Sequence, residues 1–273
     1  MNRRNIIFIL VEITVLLAIL SWGLSKIAVQ YTWVMQPLAL FMGFILAQRV
    51  AAIYNRDLRK SFLFLSFFLL LYMPTNIPQQ VIWIPLLNAV GSTVFLIIIN
   101  LLQAAAYAML ITSCVYTVRV IEIKRLNTTG WVVMGILSAL CAYIIYEGVA
   151  GAVNIFANSP TDAISLMVIR VFDMAIILML VPVLLLKLQY SKAKAQESLT
   201  FSMIMGGIII SLFSTYIFEL FGNSIADISS QFVQKGSWLD VVYIFGYTMI
   251  AAGLYANMKY DQWGYRDIER ALG

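Results

Sequence analysis

Eight separate stretches of this chain, each near 20 residues long, are built almost wholly from apolar side chains: residues 5–24, 33–54, 61–79, 91–118, 129–152, 163–188, 199–222 and 239–258. About 20 such residues in an α-helix cover the ~30 Å hydrocarbon core of a bilayer. The spacing therefore predicts an all-α fold, a polytopic membrane helix bundle of about eight transmembrane helices. Residues 1–258 form its single domain, and residues 259–273 form a short cytoplasmic tail that can lie as an amphipathic helix on the inner surface. Composition agrees: 62% of residues are hydrophobic and 11% charged, whereas soluble domains carry about 25% charged residues.

The third stretch is the weakest. "SFLFLSFFLLLYMPTNIPQQ" is interrupted by Pro74 and Pro78, and the "VIWIPLL" that follows reads as an interfacial or re-entrant piece within 79–90. Charge placement tests the count independently. With the N-terminus inside, 15 of the 18 basic residues fall on the cytoplasmic side: Arg3, Arg4, Arg49, Arg56, Arg59, Lys60, Arg119, Lys124, Arg125, Lys187, Lys192, Lys194, Lys259, Arg266 and Arg270. Only Lys26 and Lys235 fall outside, and Arg170 alone lies within a span. This is the bias of the positive-inside rule, and omitting the third stretch would put later basic loops on the wrong side. The expected placement is a multi-pass protein of the cell membrane with both termini cytoplasmic. Its first span reads as an uncleaved signal-anchor behind "MNRR", and "QYSKAKAQESLT" prolongs the sixth helix by a turn or two.

Several functional classes drop out. A net charge of +5 is absorbed by topology, so nucleic acid is not an expected partner. The two cysteines, Cys114 and Cys141, fall within spans and read as small buried residues rather than a disulfide scaffold. There is no histidine, which removes the usual ligands of haem, copper and zinc and the Ser-His or Cys-His pairs of hydrolases. No metal and no cofactor is expected, and the chain leans away from enzymes. Asp173 and Asp240 do not share a depth, and there is no GxGD motif, so aspartyl protease chemistry finds no support.

The informative residues are the polar ones inside the spans. From Ala163, Arg170 lies about 10 Å and Asp173 about 15 Å along the sixth helix at 1.5 Å per residue. Three apart, they share a face and can neutralise each other. A charge at such depth costs several kcal/mol unless paired or hydrated, so the pair is expected to face other helices or water. Glu147, Glu219 and Asp240 belong to the same outer half. Polar stripes accompany them: Asn100, Gln103 and Tyr107 on the fourth helix; Tyr143, Glu147 and Asn154 on the fifth; Ser211, Thr215 and Glu219 on the seventh; Asp240, Tyr243 and Tyr247 on the eighth. Two readings stay open. One is an outward-facing polar pocket for a small cationic ligand or a proton, with Glu147, Arg170, Asp173, Glu219 and Asp240 as its charges. The other is an interhelical clamp with no ligand. Glu12 stands apart, near the inner end of the first helix, where Arg49 is a candidate partner. Pro182, Gly206, Gly207, Gly246 and Gly253 mark kinks or close helix approach.

"RVFDMAIILMLVPVLLL" and "WLDVVYIFGYTMIAAGLY" resemble the last helices of the multi-helix sensing domains that precede prokaryotic membrane histidine kinases and diguanylate cyclases. The resemblance covers residues 163–258 and implies a membrane domain that receives a signal and passes it inward. This chain carries neither a phosphoacceptor histidine nor a GGDEF-type domain. A stand-alone sensor or accessory membrane module acting through a separate cytoplasmic or membrane partner protein is the expectation. The alternative is a small transporter or channel for protons, cations or a basic solute.

Overall fold

The computed structural model describes residues 3–25, 30–76, 92–120, 126–157, 160–194, 196–222 and 238–260. Among them the chain forms eight α-helices: α1 (Arg3–Ser25), α2 (Gln30–Ile53), α3 (Arg56–Tyr72), α4 (Ser92–Val120), α5 (Thr128–Phe156), α6 (Pro160–Lys194), α7 (Gln196–Gly222) and α8 (Trp238–Tyr260). Among the described residues, six stretches are long and apolar enough to cross a membrane: Val34–Ile53, Arg56–Asn76, Ile98–Val120, Thr128–Asn154, Met167–Leu186 and Val241–Lys259. The chain is thus a multi-pass helical membrane protein. Residues 79–90 and the tail from 261 onward lie outside the described residues.

The weak third stretch is a helix, shifted toward the N-terminus of the expected 61–79. It begins at Arg56, so that Arg56, Asp57, Arg59 and Lys60 form its first turn, and it ends at Tyr72. Pro74 lacks the N–H that a further turn requires. A 3-10 turn, Pro74–Asn76, closes it: the Thr75 hydroxyl and the Asn76 amide both donate to the Tyr72 carbonyl, at 2.7 and 2.9 Å. At the other end only Tyr54 and Asn55 separate α2 from α3. So sharp a reversal puts Arg56 at φ 52°, a left-handed conformation that L side chains rarely adopt. Before α5, Asn127 caps the helix by accepting the Gly130 N–H at 2.8 Å, the expected N-cap chemistry. As anticipated, α6 runs past 188, to Lys194.

Six helices close into a circuit, α2–α3–α4–α6–α7–α8 and back to α2, each touching the next. The α4–α6 seam is the thinnest of the six. α1 lies against the outside of the circuit, mainly on α8, and α5 packs mainly on α6. These two flanking helices expose apolar faces, with Ile13, Leu16, Ile19 and Leu20 on α1 and Val132, Ile136 and Val153 on α5. The core fills the circuit with Leu40, Val50, Leu69, Leu110, Ile176, Ile177, Val183, Ile208, Ile250 and Leu254.

Lipid tails are as apolar as these side chains, so close approach and interhelical hydrogen bonds, more than water exclusion, hold such helices together. Both are present. Gly207 and Gly246 face each other across the α7–α8 seam: a Cβ on Gly207 would stand 2.6 Å from the Gly246 carbonyl oxygen. At the basic end, the Tyr54 hydroxyl donates to Asn257 Oδ1 at 3.0 Å, and Asn257 Nδ2 donates to Thr200 at 3.1 Å. Ser61 meets Thr117 hydroxyl to hydroxyl at 2.6 Å. Cys114 and Cys141 are free and buried.

Candidate functional site

Where α3 and α7 end and α4, α6 and α8 begin, the interior of the circuit is not filled. A cavity of about 190 Å³ remains, lined by Tyr72 of α3, Gln103 and Tyr107 of α4, Ile169, Arg170 and Asp173 of α6, Ser211, Leu212 and Tyr216 of α7, and Tyr243 of α8. A second cavity, about 280 Å³, lies in the α4–α6 seam. It shares Gln103, Tyr107 and Ile169 with the first and adds Asn100, Ala104, Ile164, Val168 and Phe172. Asn100, Ala104 and Ile164 are exposed, so this second space opens on the flank of the bundle.

Asp173 is the buried acid of the site, 4% exposed. Its Oδ2 accepts the Tyr216 hydroxyl at 2.5 Å, the short end of the hydroxyl–carboxylate range. Its Oδ1 is buried and accepts no hydrogen bond among the described residues. Arg170 reaches the same tyrosine differently, with its guanidinium carbon 5.6 Å from the centre of the Tyr216 ring, within cation–π range. Its stem lies against Gly148 of α5, where an added Cβ would collide with Arg170 Cδ. Spacing alone suggested that Arg170 and Asp173 answer each other directly. In the fold, Tyr216 stands between them, offering its hydroxyl to one and its ring to the other.

Tyrosines dominate the remaining wall. Tyr72 meets Tyr107 and Tyr247 edge-on, at 6.3 and 6.4 Å between ring centres, and Tyr243 stacks on Tyr247 at 6.0 Å. The Tyr247 hydroxyl reaches Asn76 Oδ1 at 3.4 Å, tying α8 to the turn that closes α3. Ser211 is turned back on its own helix, donating to the Ile208 carbonyl at 2.9 Å.

Of the residues singled out in the sequence, Gln103, Tyr107, Arg170, Asp173 and Tyr243 converge on the inner cavity, Asn100 lines the outer one, and Tyr247 supports Tyr243 from behind. Glu147, Tyr143 and Asn154 do not join them; all three are exposed on α5, whose contacts are mainly with α6. The side chains of Thr215, Glu219 and Asp240 lie outside the described residues. Glu12 and Arg49 are both exposed. Sequence reading missed Tyr216 and Tyr72. A tyrosine between two polar positions, or at the end of an apolar run, carries no signal until its neighbours are known. Among the described residues no group of three or more metal-binding side chains occurs. Comparison with family models, with curated proteins and with solved structures finds no match to this chain.

Proposed function

We propose that this chain crosses the membrane eight times with both ends in the cytoplasm, and that it is a sensor or accessory module whose outward-half cavity receives a small ligand. The observation that carries the reading is the Asp173 carboxylate, buried inside a closed circuit of helices yet facing unfilled space with one oxygen unbonded among the described residues. A clamp needs no such space. The orientation is supported by Arg56, Arg59, Lys60, Arg119 and Lys259, which occupy helix ends remote from the cavity, as cytoplasmic positives do.

The transporter reading needs a polar path through the other half of the bundle. That half is filled by Val50, Phe62, Leu65, Val183, Phe201, Ile204 and Leu254, all buried. Its polar groups are engaged with each other, in Tyr54–Asn257–Thr200 and Ser61–Thr117. This favours a receptor over a carrier. A sensor passes its signal to a partner, and residues 259–273, which follow α8 in the sequence, are the segment proposed to meet it. Affinity purification from native membranes should recover a specific partner with the full chain and lose it when residues 259–273 are removed. Equal recovery with both would contradict a tail-borne contact.

A further inference from the structure

We infer that the ligand is a small amine with an apolar body: its ammonium group binds Asp173 among the tyrosines, and its body lies in the seam between α4 and α6. The inference rests on the reading of the cavity as a ligand site and adds the chemical class. Asp173 lines the inner cavity, and its buried Oδ1 accepts no hydrogen bond among the described residues, so the complementary group is a hydrogen-bond donor. A cationic donor is favoured twice over. It forms a charge-assisted bond to the carboxylate, and it meets the tyrosines Tyr72, Tyr107 and Tyr243, a residue type whose ring face attracts cations. An anion in the same space would sit beside the Asp173 carboxylate, and the Arg170 guanidinium that also lines the cavity already lies over the Tyr216 ring. A neutral alcohol satisfies Oδ1 but gains neither charge term.

Size and shape divide the ligand into head and body. At ~30 Å³ per water, the inner cavity of about 190 Å³ matches an ammonium head and a few carbons. The adjoining seam cavity, about 280 Å³, is walled by Ala104, Ile164, Val168, Ile169 and Phe172, an apolar lining that suits a ring or short chain. Gln103 and Tyr107 border both spaces, which sets the head and body sites side by side. Because the seam opens on the bundle's flank, the amine can arrive as a free solute or as the headgroup of an aminolipid.

Phenethylamine is the probe, measured by isothermal calorimetry on full-length protein in detergent, beside 2-phenylethanol and 3-phenylpropionate. Saturable binding of the amine is expected, with the alcohol and the carboxylate each at least ~10-fold weaker, the value of one charge-assisted bond. Asp173→Asn should weaken the amine about 30-fold. Because that variant can fail to fold, Ala104→Trp serves as the second test. It fills the exposed seam and should weaken phenethylamine about 10-fold while leaving ethylamine binding as it was. Displacement of phenethylamine by phosphatidylethanolamine but not phosphatidylcholine identifies the lipid source, and its absence identifies the free solute; both outcomes support the amine class. Tighter binding of 3-phenylpropionate or 2-phenylethanol, still lost in Ala104→Trp, would overturn the amine while keeping the cavity as a ligand site. Equal weak uptake of all three by wild type and both variants would overturn the inference as membrane-like partitioning. In that case, the thiol labelling at residue 103 described below decides whether the ligand-site reading falls with it.

Discussion

Replacing Gly246 with valine is expected to disrupt the α7–α8 seam and abolish the cavity with it. A Cβ at this position would stand 2.9 Å from the Gly207 carbonyl oxygen and 3.1 Å from Ser211 Cβ. These are backbone and short side-chain atoms that cannot swing away, so the helices themselves must part. Overfilling a close contact usually costs ~1–3 kcal/mol. A branched residue against backbone should reach about 3 kcal/mol, because a bundle in lipid has little beyond close approach to hold it. Ser211, Leu212 and Tyr243 flank the same crossing and line the cavity, so separation would open the site as well. Gly23 and Gly135 provide the control: a Cβ on either meets nothing within 4 Å, and Gly→Ala there should be neutral or slightly stabilising, as helix propensity favours alanine by up to ~1 kcal/mol. Unfolding in mixed micelles by increasing denaturing detergent would compare the three. A Gly246→Val protein as stable as Gly135→Ala would mean that α7 and α8 do not cross this closely.

Tyr216→Phe is expected to have the second largest effect, out of proportion to the loss of one hydroxyl. Interhelical hydrogen bonds in membranes average only ~0.6 kcal/mol. This one differs because its acceptor is the buried Asp173 carboxylate, whose other oxygen has no hydrogen-bond donor among the described residues. Leaving a buried acceptor unsatisfied costs ~1–3 kcal/mol, and that desolvation term outweighs the bond itself. Asp173→Asn should cost less than Tyr216→Phe, since the amide oxygen can still accept the tyrosine hydroxyl. The double variant Tyr216→Phe/Asp173→Leu should recover part of the loss by removing both polar partners, the pattern seen when buried polar pairs are replaced together. A cycle in which the two single effects simply add would contradict the contact.

How far this was legible in the sequence depends on which contacts a feature needs. The helices were legible because a bilayer demands length and apolarity, both local properties. α3 was misplaced by several residues at each end: its charged first turn reads as loop, and only the structure shows Arg56 in a left-handed conformation turning the chain into it. Residues that share a helix face, such as Gln103 with Tyr107 or Arg170 with Asp173, were legible from the 3.6-residue period. What the period cannot give is which helix stands opposite. Glu147 looked equivalent to the other outer-half acids, but α5 sits outside the circuit and turns that residue away from the cavity. Tyr216 looked unremarkable, yet it is the group that joins Arg170 and Asp173. Gly148 gave no sign of its use until Arg170 was found lying across it. Each of these depends on neighbours distant in the chain.

The most direct test asks whether the space beside Asp173 is reached from the outer side of the membrane. In a background with Cys114 and Cys141 replaced by alanine, Gln103→Cys would be treated in right-side-out vesicles with a membrane-impermeant cationic thiol reagent, beside Ile136→Cys on the exposed apolar face of α5. The cysteine at 103 should react readily, and excess phenethylamine should slow it, while the one at 136 stays inert within the bilayer. A cysteine at 103 as unreactive as that at 136 would mean a sealed interior, and the outward-facing ligand site would be wrong.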